Sequence, residues 1–124
     1  MKKILSLILL TLLPLVASAQ DALEIDGIYY KLFESNAEVT SSGGIAYSGD
    51  IVIPSSVTFS GMTYRVTSIG DYAFKDCFKM TSVTIPNSVT SIGESAFYGC
   101  FKLTSVTIPN SVIDIGGYAF FGCI

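Results

Sequence analysis

Not one of the 124 residues is histidine, and tryptophan is missing as well. Without an imidazole neither a Ser-His-Asp nor a Cys-His arrangement can be assembled, and the commonest general base near neutral pH is gone. Positive charge is scarce: seven Lys and Arg face ten Asp and Glu, for a formal net charge of -3. Such a balance carries no electrostatic footprint for a phosphodiester backbone, so nucleic acid is not an expected partner. The three cysteines, Cys77, Cys100 and Cys123, stand too far apart for a zinc site, whose ligands come in pairs about two to four residues apart. A phosphate-cradling G-x-x-x-x-G-K loop is also absent. No cofactor is expected, and the chain reads as something other than an enzyme.

Only the first residues form an apolar run. Lys2 and Lys3 precede Ile4 to Val16, and Ala17-Ser18-Ala19 closes the segment with small residues. Ser6, Thr11 and Pro14 interrupt it, and it falls short of the roughly 20 apolar residues a spanning helix needs. The segment reads as an export signal, residues 1–19, cleaved between Ala19 and Gln20. The expected product is secreted or displayed at the cell surface, with no membrane span after cleavage. Removing Lys2 and Lys3 leaves five basic residues (Lys31, Arg65, Lys75, Lys79, Lys102) against ten acidic ones, a net charge of 5 − 10 = −5. The remaining length suits one domain.

What the chain does contain is repetition. IGDYAFKDCFKMTSVTIPNSVTS at 69–91 is followed directly by IGESAFYGCFKLTSVTIPNSVID at 92–114, identical at 16 of 23 positions, and IGGYAFFGCI at 115–124 begins a third copy. A unit this short cannot close its own core, so each copy must bury its apolar face on its neighbours, as in a solenoid. The cysteines recur at this period, one per copy. They are expected to be buried structural thiols, with a disulfide between adjacent coils as the second reading, since equivalent residues should lie about 4.8 Å apart. Asp71, Glu94 and Gly117 share one position of the repeat, and Ser91 and Asp114 another. Paired carboxylates for glycosidic chemistry are not suggested by such scatter, which fits a solvated surface.

Within a unit, Val106 and Ile108 should point inward and Ser105 and Thr107 outward, with Pro109 ending the strand. A second extended piece carries Val112 and Ile115. Gly116 should then bend the chain, needing a permissive backbone, ahead of a short helical turn with Ala119, Phe120 and Cys123. Phe74, Phe97 and Phe120 should stack inside, and Asn87 and Asn110 suit turns. Upstream, GIYYKLF at 27–33 and AEVT at 37–40 read as strands, and Ser41-Ser42-Gly43-Gly44 as a turn. GDIVIPSSV at 49–57 starts the repeat pattern, but Pro54 and Pro86 are 32 apart, nine more than the period. The surplus reads as a hairpin, Val57 to Phe59 and Met62 to Tyr64 around Ser60-Gly61. The expected domain plan is an N-terminal cap at 20–48 and a solenoid at 49–124, comprising an irregular first coil at 49–68 and repeats at 69–91, 92–114 and 115–124. The fold class is a mainly β repeat solenoid.

The unit LTSVTIPNSVxxIGxxAFxxC resembles the leucine-rich repeat of BspA-like bacterial surface proteins, and GDIVIPSSVTFSGMTYRVTSIGDYAF is similar to the start of many members. That resemblance implies a right-handed coil of short strands and helical turns, and an exported or cell-surface binding protein that adheres to host proteins or other cells. Against the family pattern, Ile124 falls before the strand that KLTSVTIP supplies elsewhere, which reads as a truncation with an open apolar end. The candidate binding face is the outward row: Asp50 and Val52, then Ser82 and Thr84, then Ser105 and Thr107, with Lys79 and Lys102 beside it. Its expected partner is a host or bacterial surface protein, or a glycan. Hydroxyls that merely solubilise a β surface, and lysines that guard strands, are the plain alternative. At the level of the whole chain, that alternative is a structural spacer or assembly segment of a larger surface protein.

Overall fold

The computed structural model describes residues 22–44 and 46–123. The export signal expected at 1–19 therefore lies outside the described residues. Ten strands follow one another: β1 Leu23–Ile25, β2 Ile28–Leu32, β3 Asn36–Thr40, β4 Ser48–Val52, β5 Ser56–Phe59, β6 Met62–Ile69, β7 Lys79–Thr84, β8 Ser91–Ile92, β9 Ser105–Thr107 and β10 Asp114–Ile115. Seven form one sheet in the order β1-β2-β3-β6-β8-β10, with β5 hydrogen-bonded to β6, and β4-β7-β9 form a second, all-parallel sheet. Ser68, Ser91 and Asp114 align across the first sheet, as do Ser82 and Ser105 across the second. The period of 23 residues is thus the distance along the chain between laterally paired residues, which makes the repeats the coils of a solenoid.

Local chemistry sets the hairpins. Asp26-Gly27 and Ser60-Gly61 each form a two-residue loop in which both residues have positive φ (51° and 88°; 51° and 79°). That conformation matches the twist of the flanking strands and favours Gly at the second place. The insertion expected after Val57 is present as β5 and the start of β6. The strands expected at 27–33 and 37–40 appear as β2 and β3, and β1, not foreseen, pairs antiparallel with β2. This antiparallel meander then joins the coils through parallel pairing of β3 with β6.

The segments after Gly70, Gly93 and Gly116 correct an expectation. They are chains of turns, and no helix occurs among the described residues. The N–H groups of Ala73, Lys75 and Cys77 bond back three residues, to the carbonyls of Gly70, Tyr72 and Phe74. Those of Tyr72, Phe74 and Asp76 instead donate sideways to Glu94, Ala96 and Tyr98 of the next coil, at 2.7–2.9 Å. Ser95, Phe97 and Gly99 repeat this toward Gly117, Ala119 and Phe121. A helix would point every N–H along its own axis. Left-handed residues at Tyr72 and Asp76, and again at Ser95 and Gly99, turn alternate groups outward, so the turns form a ladder between coils much as strands do.

Between the sheets and turns lies one core. Phe74, Phe97 and Phe120 stack as expected, at 5.0 Å between centroids and with planes 11° and 5° apart. Tyr47 covers the free face of Phe74 at 4.8 Å, while its hydroxyl accepts from the Tyr29 N–H and donates to the Thr40 carbonyl. Val83 and Ile85 are buried as their repeat position requires. Their counterparts Val106 and Ile108, at the C-terminal edge of the described coils, are half-buried and 37% exposed.

The three cysteines are free. Cys100 Sγ donates to the Phe74 carbonyl at 3.0 Å and Cys123 Sγ to that of Phe97 at 3.1 Å, so each thiol reaches back one coil. Burial pushes Cys100 up from 9.0 to about 12 and also raises Cys77 and Cys123. A thiol whose folded pKa is raised favours the fold fully below its unfolded value and loses that contribution as pH rises toward the folded one. Stability should therefore fall above about pH 9, continuing toward pH 12. Alkylation by iodoacetamide at pH 8.5, followed by peptide mass spectrometry, should label half-exposed Cys123 well before Cys100. Equal labelling would contradict this burial.

Gly70, Gly93 and Gly116 are not in the left-handed region. A Cβ on Gly93 would lie 2.5 Å from the Asp71 N and 2.7 Å from the Gly70 carbonyl carbon, and one on Gly116 would lie 2.5 Å from the Glu94 N. Gly93 and Gly116 are required because coils touch backbone to backbone there, and not by the backbone freedom expected for a bend; at Gly70 the close neighbours are the Glu38 side chain and the Val39 carbonyl of β3.

Candidate binding face

The parallel sheet turns one side away from the core. Register places Asp50, Ser82 and Ser105 in one row and Val52, Thr84 and Thr107 in the next. All four hydroxyl residues of the expected face therefore lie together. Thr84, Ser105 and Thr107 are exposed, and Ser82 is half-buried.

Ser82 is half-buried for a local reason. The register between β4 and β7 slips after Gly49, which sits opposite Met80 while Asp50 sits opposite Ser82. Thr81 is thus an extra residue. The Asp50 Oδ1 accepts hydrogen bonds from Thr81 Oγ1 at 3.0 Å and Ser82 Oγ at 2.7 Å. These hydroxyls, Ser82 first, hold the carboxyl below its usual range. Asp50 therefore spans the irregularity, leaving the later rows freer to present their hydroxyls.

Lys79 opens β7 opposite Ser48, whereas Lys102 lies three residues before β9, in the preceding turn. Both are exposed. Each follows an aromatic residue that the sequence reading passes over. The Phe78 N–H bonds to the Asp76 carbonyl and the Phe101 N–H to that of Gly99, both at 2.9 Å. Turns this tight send the ring outward immediately after a buried cysteine. Phe78 and Phe101 are 49% and 55% exposed, and they stack on each other at 5.6 Å with planes 11° apart. No simple sequence signal marks them, since consecutive residues of the same turns, Ala73 and Phe74 or Ala96 and Phe97, do both enter the core.

A second aromatic group follows the turn ladder. Tyr72, Tyr118 and Phe121 are exposed, Tyr98 stacks on Phe121 at 5.1 Å, and Lys75 Nζ lies 5.7 Å from the Tyr72 ring and 5.8 Å from that of Tyr98. Among the described residues no three His, Cys, Asp or Glu are grouped to hold a metal, and no helix is long and apolar enough to cross a membrane. What the surface offers is repeated hydroxyl donors and acceptors, two lysine charges and stacked aromatic edges.

Comparison with known proteins agrees with the geometry. The family model described as BspA type Leucine rich repeat region (6 copies) matches residues 67–124. Among solved structures, a leucine-rich repeat protein from Bacteroides ovatus is 38% identical with a TM-score of 0.71, over 82% of this chain and 27% of its own. A leucine rich cell surface protein from Faecalibacterium prausnitzii is 34% identical with a TM-score of 0.68, over 82% of this chain and 28% of its own. A leucine-rich repeat protein from Bacteroides capillosus is 35% identical with a TM-score of 0.70, over 80% of this chain and 73% of its own. The chain thus spans little more than a quarter of the first two. No curated protein matches.

Proposed function

From the premise that the chain belongs to the BspA-type leucine-rich repeat family, we propose that it is an exported, non-catalytic binding module that holds a surface protein against its parallel sheet. Leucine-rich repeat proteins commonly serve protein–protein interaction. The observation that carries the reading here is the stacked, half-exposed pair Phe78 and Phe101 beside Lys79 and Lys102, next to the hydroxyl rows of Thr84, Ser105 and Thr107. Aromatic residues are enriched at interfaces and dominate their energetics, whereas scattered hydroxyls supply complementarity. Solubility alone does not account for two large rings held out in water and stacked in register.

Placement at the cell surface is supported by the charged, apolar and small-residue succession of residues 1–19, and by the cell-surface protein of Faecalibacterium prausnitzii among the similar structures. The meander of β1 to β3 acts as the N-terminal cap, since it presents the half-exposed strand β1 as the outermost strand of the first sheet.

The test is a panel of extracellular-matrix and bacterial surface proteins immobilised for surface plasmon resonance. The chain should bind at least one saturably. Phe78→Ser/Phe101→Ser should weaken that binding at least tenfold while leaving the thermal midpoint within a few degrees, because the exposed rings contribute little to the core. Undiminished binding by the double variant would overturn this assignment of the face.

A further inference from the structure

The ten acidic side chains of this chain are unevenly placed. Between Cys77 and Gly93, and again between Ser95 and Ile113, there is no Asp or Glu, and the charges these two segments carry are Lys79 and Lys102. The segments supply β7 and β9 with the turns ahead of them. The face that holds Phe78 and Phe101 is therefore a positive island on a chain of net charge -3. Asp50 on β4 borders it, with its Oδ1 engaged by the Thr81 and Ser82 hydroxyls. Asp76, in the turn before Phe78, has its Oδ1 against Gly99. Among the described residues neither Lys79 nor Lys102 is ion-paired.

The two lysines occupy equivalent places on consecutive coils, and the rings one residue earlier stack at 5.6 Å. Like charges set side by side in this way cost stability. Lysine guards the edges of many sheets, but β7 is the central strand of β4-β7-β9 and has no edge to guard. Two unpaired ammonium groups beside two rings held in water are complementary to a surface that brings carboxylates and an apolar side chain together. Resting on the protein-binding reading given above, we propose that the partner contacts this face through an acidic segment. Two of its carboxylates meet Lys79 and Lys102, and an apolar side chain beside them lies against Phe78 and Phe101. Acidic residues two apart on a strand or four apart on a helix stand about 5–7 Å from each other, which matches a pair of lysines one coil apart.

Amide chemical shifts of the isotope-labelled chain would be followed in titrations with the end-blocked peptide Glu-Glu-Phe-Glu-Glu, its counterpart with Gln in place of Glu, and heparin. The acidic peptide should give saturable shifts centred on Phe78, Lys79, Phe101 and Lys102. Raising salt from about 0.02 to about 0.3 M should weaken it about tenfold. Lys79→Gln/Lys102→Gln removes the charges, so it should melt at the same or a higher temperature while binding this peptide about tenfold more weakly. No saturable shifts with the acidic peptide, equal shifts from the Gln peptide, or shifts that the lysine double variant leaves intact would overturn the proposal. Saturable binding of heparin without the peptide would assign the lysines to an acidic glycan and overturn it as well. The surface panel separates this proposal from the reading beneath it. A partner released by Phe78→Ser/Phe101→Ser but held undiminished by Lys79→Gln/Lys102→Gln leaves the face standing and overturns the acidic segment. A partner held undiminished by both variants overturns the face, and the acidic segment with it.

Discussion

Phe97→Ala should unfold the domain or reduce its stability by about 3–5 kcal/mol. The ring is fully buried and lies 5.0 Å from both Phe74 and Phe120, so its removal leaves a void that neither neighbour can fill without breaking the coil spacing. Against a typical total of about 5–15 kcal/mol, the loss is a large fraction. Phe120→Ala should cost less, because Phe120 is only half-buried. Thr107→Ala, on the exposed row, should stay within about 0.5 kcal/mol. Urea denaturation of the three variants measures this order, and equal midpoint shifts for Phe97→Ala and Thr107→Ala would refute the inward and outward assignment.

Gly93→Ala should be comparably damaging although it adds a single methyl group. The new carbon would lie 2.5 Å from the Asp71 N and from Asp71 Oδ1. The side chain can swing aside only by giving up the bond that its Oδ1 accepts from the Glu94 N–H, and the main chain cannot move without opening the bond from the Gly93 N–H to the Ile69 carbonyl and the lateral bonds from Phe74 and Asp76. A loss of about 2 kcal/mol or more is expected, at the upper end of ordinary substitutions. Gly117→Ala is the control, since nothing lies within 4 Å of its added Cβ and its φ is not left-handed. There the reduced freedom of the unfolded chain should leave stability unchanged or raise it by up to about 1 kcal/mol. Thermal melts that rank the two variants the other way would show that the coils are not packed backbone to backbone.

Much of this architecture is legible in the residues because repetition amplifies weak local signals. One Phe four residues past a Gly says little, whereas Phe74, Phe97 and Phe120 at a fixed interval imply a stack. The two-residue loop Ser60-Gly61 declares itself by turn chemistry. The turn ladder is not legible, because Ala, Phe and Cys at close spacing fit a helical turn by burial pattern. Only the left-handed backbone at Tyr72 and Ser95 reveals that alternate N–H groups leave the segment, and neither residue type advertises that conformation. The glycine positions stand out in the sequence but their cause does not, since a close approach between coils depends on lateral spacing that no single unit encodes. On the surface, the hydroxyl rows follow from strand period. The outward rings of Phe78 and Phe101 follow from a tight turn hidden within the same apolar stretch.

A protein partner should sit against β7 and β9. Hydrogen–deuterium exchange of the chain, alone and saturated with a protein that it binds in the surface panel, tests it most directly. The account predicts slowed exchange in β7, β9 and the turns carrying Phe78 and Phe101, with β1, β2 and the Asp26-Gly27 turn unchanged. Protection confined to the β1–β2 hairpin or to the Tyr72–Tyr118 side, with β7 and β9 exchanging as in the free chain, would contradict it.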